Sequence, residues 1–166
     1  MSIDATLVRL KSAGRLVPFL PYFDADESDL RELLMLPGLH QWCYESDRKK
    51  TLDYKANVQA FLARYVKGKE IDNEDYMKSW AADVWELRVQ LQPKRENTRI
   101  WGAFVKPDIF IATHQKLRSS FRRQDDWDAA IQRVIDELAA LDRSLHPIKS
   151  SPFANCVTFK CTDVNS

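Results

Sequence analysis

From Val84 to Leu91 the chain reads VWELRVQL, and from Trp85 onward its apolar residues fall on every second position. Trp85, Leu87, Val89 and Leu91 alternate with Glu86, Arg88 and Gln90. A repeat of two is the side-chain period of a strand, with one face buried and the other not. Thr98–Val105 and Asp108–His114 read as two further strands. They are separated by a polar turn, Gln92–Asn97, and a tight turn at Lys106-Pro107. Three strands joined so closely predict two antiparallel hairpins, because a parallel pair needs a long crossover.

The spacing also predicts which residues share a face. A symmetric six-residue loop at 92–97 sets 91 opposite 98, 90 opposite 99 and 88 opposite 101. A two-residue turn at 106–107, or at 107–108, keeps the parity, and directly opposed residues share a face. One face then carries Trp85, Leu87, Val89, Leu91, Ile100, Phe104, Ile109 and Ile111, and needs helices over it. The other carries Glu86, Arg88, Gln90, Arg99, Trp101, Phe110, Ala112 and His114, and is expected to be open.

Helices are expected on either side of this unit. Residues 1–14 read as a short helix stopped at Gly14, and 16–23, with two prolines, as an extended edge segment or buried loop. The acidic stretch from Asp24 predicts a helix start and a helix over about 27–36, ended by Pro37-Gly38. Residues 39–47 are ambiguous. Leu52, Ala56, Val58, Phe61, Leu62 and Tyr65 give a helix over 48–67, with Gly68 placed to end it. A short helix is expected at 73–80. Ala130, Ile131, Val134, Ile135, Leu138 and Leu141 line one side of a last helix, reached through a basic loop at 115–123. Residues 1–146 are read as one α+β domain and 147–166 as a tail, which either adds a short strand at 157–160 or stays partly disordered.

Charge separates the chain more than its net value of +1 suggests. Residues 88–123 hold nine Lys or Arg against Glu96 and Asp108. Residues 24–83 hold nine basic and thirteen acidic side chains. A basic half points to an anionic partner for that half. Arg88, Arg99 and His114 fall near one end of the expected open face, with Trp101 among them. Lys94 and Arg95 lie on one rim, and Lys116, Arg118, Arg122 and Arg123 near another. Cations beside an exposed aromatic suit single-stranded nucleic acid: the cations hold phosphates and the ring stacks on a base. The competing reading pairs Arg88 with Glu86 and covers Trp101 with the tail.

Several classes lack their motifs. None of the four glycines sits in a phosphate-binding run, and there is no Gly-x-Ser-x-Gly elbow. His40, His114 and His146 are far apart, and Cys43, Cys156 and Cys161 have no zinc spacing, so no metal site and no cofactor are expected. No apolar run approaches a membrane span and the N-terminus lacks a signal-peptide pattern, so the expected compartment is the cytoplasm, with free thiols.

The pieces together resemble the RelE/ParE/HigB-like toxin superfamily, in its phage-derived HigB-like branch. VWELRV at 84–89, TRIWGAF at 98–104, DIFIATHQKLR at 108–118 and DDWDAAIQRVIDEL at 125–138 are similar to its strands and closing helix, in order. DYMKSWAAD before them is similar to its lead-in, and the match covers roughly 48–141. The resemblance implies N-terminal helices packed on a small twisted antiparallel sheet, closed by a C-terminal helix. It also implies the toxin component of a type II toxin–antitoxin system. Ribosome-dependent members cut mRNA without a metal, the 2′-OH attacking the adjacent phosphate. Its implied partners are a cognate antitoxin, the ribosome and mRNA. In its gyrase-poison members the partner is DNA gyrase and no nuclease is present.

On that resemblance Arg99, at the YRI position, is the phosphate-binding arginine. Arg88, at the ELR position, is a second or a structural one. His114, Lys116 and Arg118 are candidates for proton transfer and charge stabilisation. The chain departs from the pattern at Thr98, where tyrosine is usual, and at Gln115 and Lys116, where glycine and an aromatic are.

Overall fold

Runs of consecutive apolar residues, not only alternating ones, mark the centre of this fold. The computed structural model describes residues 2–21, 31–45, 52–69, 75–90, 97–151 and 155–158. Its elements are α1 (Ile3–Ser12), β1 (Val17–Pro18), β2 (Glu32–Met35), α2 (Pro37–Tyr44), α3 (Leu52–Val66), β3 (Met77–Ser79), β4 (Val84–Val89), β5 (Thr98–Lys106), β6 (Ile109–Leu117) and α4 (Gln124–Leu141). The class is α+β. The strands form one six-stranded sheet in the order β1-β2-β6-β5-β4-β3. All pairs are antiparallel except β2 with β6, so the sheet is mixed rather than the small antiparallel one expected.

Three expectations change here. The helix anticipated over 27–36 is strand β2 where it is described, at Glu32–Met35. Leu33 and Met35 enter the core on one face of the sheet, while Leu34 enters the core on the other. A strand buried on both faces reads as a continuous apolar run, which imitates a helix in a sequence. Pro37-Gly38 does not end a helix but opens α2, with Pro37 at a position where its missing N–H costs nothing. The helix expected at 73–80 is edge strand β3 over its last residues.

Both faces are covered. On face one, α2 and α3 pack Leu39, Tyr54, Val58, Leu62 and Tyr65 against Leu87, Ile100, Phe104 and Phe110. On face two, α1 and α4 pack Leu7, Leu10, Val134 and Leu138 against Val84, Ala103, Val105 and Ile111. The second face is therefore not an open surface over its whole length. Helix α3 ends at Gly68 with φ 70, as its position in the sequence suggests, and the Arg31 guanidinium donates to the carbonyls of Gly68 and Lys69.

Strands β4 and β5 keep the expected parity but pair two residues further along. Arg88 faces Arg99, not Trp101, and the intervening loop is 90–97. Between β5 and β6 the register shifts twice. Trp101 faces His114, but Gly102 faces Ala112, which leaves Thr113 as the extra residue of a bulge. The bulge moves Phe110 and Ala112 to face one and Ile111 to face two, the reverse of the expected sorting. It also explains Gly102: a Cβ there would lie 2.1 Å from the Ile111 carbonyl oxygen and 2.7 Å from the Phe110 ring.

Past α4 the chain returns along the ends of the strands. Asp83 and Asp108, with φ 58 and 63, hold it there. Asp83 accepts from the N–H and hydroxyl of Ser150, and Asp108 from those of Thr158. Cys156 and Val157 enter the face-one core without forming a strand. Residues 159–166 lie outside the described residues, as do Lys160 of the suggested strand and Cys161. Among the described residues no helix is long and apolar enough to cross a membrane.

Candidate functional site

Face two divides along the strands. The helices cover its Val84–Ala103–Ile111 end, while the end toward Val89, Thr98 and Leu117 carries charge. There the register aligns two rows across the sheet. The first runs Lys78, Glu86, Trp101, His114 over β3, β4, β5 and β6. The second runs Arg88, Arg99, Lys116 over β4, β5 and β6. Neighbouring strands lie about 4.8 Å apart, so the second row is three cations side by side. Opposed like charges repel, and only a counter-ion or an anionic ligand makes such a row favourable.

The counter-ion is Glu86. It is fully buried, and its Oε1 accepts from Arg88 Nε at 2.7 Å. Its Oε2 faces Arg99 Nε at 3.8 Å, too far for a hydrogen bond, and neither atom has another partner. Arg99 is only 8% exposed. Burial lowers its pKa, opposed by the Glu86 charge and reinforced by Arg88 and Arg118. It stays a cation all the same, since a guanidinium keeps its proton throughout the physiological range. One carboxylate thus serves two arginines.

Beside the rows lies an aromatic cluster. Trp101 is fully buried beneath Trp80, Phe121 and Trp127, and its ring stacks on His114 at 6.3 Å. Trp80 and Trp127 stack on each other at 4.9 Å, and both are partly exposed. Cations rim the cluster: Lys78 Nζ lies 4.5 Å from the Trp80 ring, Lys116 Nζ 4.8 Å from Phe121, and the Arg118 guanidinium 5.0 Å from Trp127.

These positions correct two roles read from the sequence. Trp101 cannot stack on a base, because its own neighbours cover it; Trp80 and Trp127 are the rings within reach of solvent. His114 is 6% exposed and shares a hydrogen bond between Nδ1 and the Thr113 hydroxyl at 2.9 Å. Burial pushes its pKa down to about 4, helped by the Arg133 and Lys116 charges. The ring is therefore neutral near pH 7, and no proton is held there for a leaving group.

The remaining expected residues divide. Arg88, Arg99, Lys116 and Arg118 come together, with β6 running to Leu117 where a loop was expected from Gln115. Arg122 and Arg123 are exposed where the chain enters α4; their backbone N–H groups are capped by Asp126, and the Arg123 side chain pairs with Asp125 at 3.2 Å. Lys94 and Arg95 lie outside the described residues. Lys78 and Glu86 were not singled out as site residues by sequence. Lys78 was hidden by the helix reading of 73–80, and Glu86 by its alternation, which suits a solvated residue as well as a buried one.

Among the described residues no three His, Cys, Asp or Glu side chains come together to hold a metal ion. Cys43 and Cys156 are buried free thiols, each pushed up to about 12 by burial, so neither is a nucleophile near neutrality. No family model, curated protein or solved structure matches the chain.

Proposed function

We propose that this chain is a toxin of the RelE/ParE/HigB-like kind, acting on ribosome-associated mRNA as an endoribonuclease through the cationic end of face two. One observation carries the reading: Arg88, Arg99 and Lys116 stand in register across three strands, beside the buried Glu86 carboxylate. A row of cations at strand spacing suits the phosphate oxygens of a phosphodiester, which it can hold by charge-assisted hydrogen bonds. The strand–strand–strand–helix order of 84–141 supports it as well.

In the proposed reaction the 2′-OH attacks the adjacent phosphorus and the 5′-oxygen leaves, giving a 2′,3′-cyclic phosphate and a 5′-hydroxyl. Charge accumulates on the phosphorane oxygens, and Arg99, Lys116 and Arg118 are the groups placed to stabilise it. Arg88, bound to Glu86, keeps the row aligned. Proton transfer falls to Lys116 or to groups of the ribosome, since His114 is enclosed and, with its pKa lowered to about 4, is uncharged as an acid and weak as a base. A cognate antitoxin would neutralise the row with acidic side chains.

A second reading has its own support. The burial of His114 and the Glu86–Arg88 bond are what a purely structural network would show. On that reading the fold binds a protein partner such as DNA gyrase and cuts nothing. Inducible expression of wild type and Arg99→Ala in a bacterial host, with primer-extension mapping of a reporter mRNA, separates the two. Growth arrest with translation-dependent, in-frame cuts that vanish in Arg99→Ala supports the nuclease. Arrest without cuts supports the partner-binding reading and rejects the nuclease.

A further inference from the structure

Strand β6 has nine residues, but β2 borders only Ile109–Ala112 of it. The chain leaves that lane at Leu36, whose N–H donates to the Ala112 carbonyl at 3.1 Å, and turns into α2. On its other side β6 pairs with β5 as far as Leu117. Arg118 N–H donates to the Asn97 carbonyl at 2.7 Å, so alternation turns the backbone groups of 116 and 114 toward β5 as well. Gln115 and Leu117 then turn theirs the opposite way, into the lane that β2 has left.

That half-lane is a slot with walls. A cavity of about 400 Å³ lies there, with Leu36 at its end, Gln115 on its floor, Gly38 and Trp42 of α2 on one side and Arg133 and Glu137 of α4 on the other. We propose that the slot receives an extended segment of a partner protein, in which acidic and apolar residues alternate, as an added strand on β6. A strand edge offers donors and acceptors at strand spacing, which only extended backbone meets in full. The two flanks differ in chemistry. Trp42 lines the face-one side, and Leu117, 36% exposed, follows on that side by register. Arg133, paired with Glu137 at 3.5 Å, lines the face-two side, and Lys116 and Arg118 extend it beyond the cavity. A bound strand places alternate side chains on those two flanks, which sets its pattern. The proposal does not rest on the RNA reading, although its cationic flank shares Lys116 and Arg118 with that site.

The test uses the full chain and a blocked peptide of alternating glutamate and valine, with a lysine–valine peptide as control. Binding of the glutamate peptide should slow exchange of the Gln115 and Leu117 amides and shift Trp42 fluorescence, and the lysine peptide should not bind. Gly38→Trp fills the slot, and since a Cβ there meets nothing within 4 Å it should fold. Gln115→Pro removes one donor that faces the lane and leaves the β5 ladder intact. Each should weaken the peptide about tenfold or more, the loss expected when a strand cannot seat, while RNA cleavage stays at the wild-type level. The proposal is overturned if neither peptide binds, if both bind alike, or if both variants bind as wild type does. Amides of Gln115 and Leu117 already protected in the chain alone would overturn it too, by showing the lane occupied. Peptide binding without RNA cleavage would remove the nuclease reading and leave the slot standing.

Discussion

The two ends of face two are built from the same three strands and obey opposite rules. At one end Val84, Ala103, Val105 and Ile111 are buried under α1 and α4, and no charge is enclosed among them. At the other, Glu86 and Arg99 are buried among cations, with two facing atoms that have no hydrogen bond. Apolar packing holds the first end with no further requirement. The second encloses Arg99 and Glu86 together, so each depends on the other's charge, a condition that a stability-driven core would avoid. This buried, half-satisfied charge cluster beside a conventional core is the feature on which the proposed function rests.

The comparison breaks first at Glu86. Glu86→Gln keeps the shape and removes the negative charge beside the buried Arg99 guanidinium. Losing one partner of a buried pair costs about 3–5 kcal/mol, and urea unfolding should show a loss of that order. Exchanging Glu86 and Arg99 together for Gln and Met should restore much of it. An unchanged midpoint for Glu86→Gln would mean the pair is not enclosed in solution. At the apolar end Leu138→Ala should cost about 3 kcal/mol by cavity formation, with RNA cleavage per folded molecule unaltered. A fall in specific cleavage there would show that the two ends are coupled.

A pH series sharpens the boundary between the ends, where His114 sits. Its folded pKa of about 4 lies below the ordinary 6.5. Above pH 6.5 both folded and unfolded states hold it neutral, and the shift has no effect. Below that, the unfolded chain takes up a proton that the fold refuses. Stability should therefore fall between about pH 6.5 and 4 by roughly 3 kcal/mol, then level off for this group. His114→Gln should flatten that interval. If it does not, the ring is not the group that titrates.

The charged end was more legible than its surroundings. Arg88 and Arg99 share a face because hairpin parity survives a two-residue slide of register, so alternation alone placed them, whereas Lys116, read as part of a loop, joins them because β6 runs on to Leu117. The covering of Trp101 was not legible. It depends on where α4 lands and on the bulge at Thr113, which a pattern of two cannot carry past the extra residue. Strand β2 was misread because Leu33, Leu34 and Met35 serve two cores at once, and β3 because three residues are too few for any period. The slot beside β6 was beyond reach for a related reason: it exists where β2 stops short of the end of β6, and strand ends are the least defined part of a sequence pattern.

The smallest effect on stability should come with the most specific effect on function. Lys116 is partly exposed, with Nζ over the Phe121 ring. Lys116→Ala should change unfolding by about 0.5 kcal/mol or less, as for other exposed cation–aromatic contacts. On RNA it removes one phosphate contact, so the slope of log affinity against log salt should become shallower by about 0.7, the single-strand value per charge. Arg123→Ala is the matched control: an exposed cation already paired with Asp125, outside the row. Equal losses of slope for the two would mean that RNA sees only a diffuse basic surface. A loss for Lys116 alone would mean that it sees three cations in register, which is what separates a site from a patch of charge.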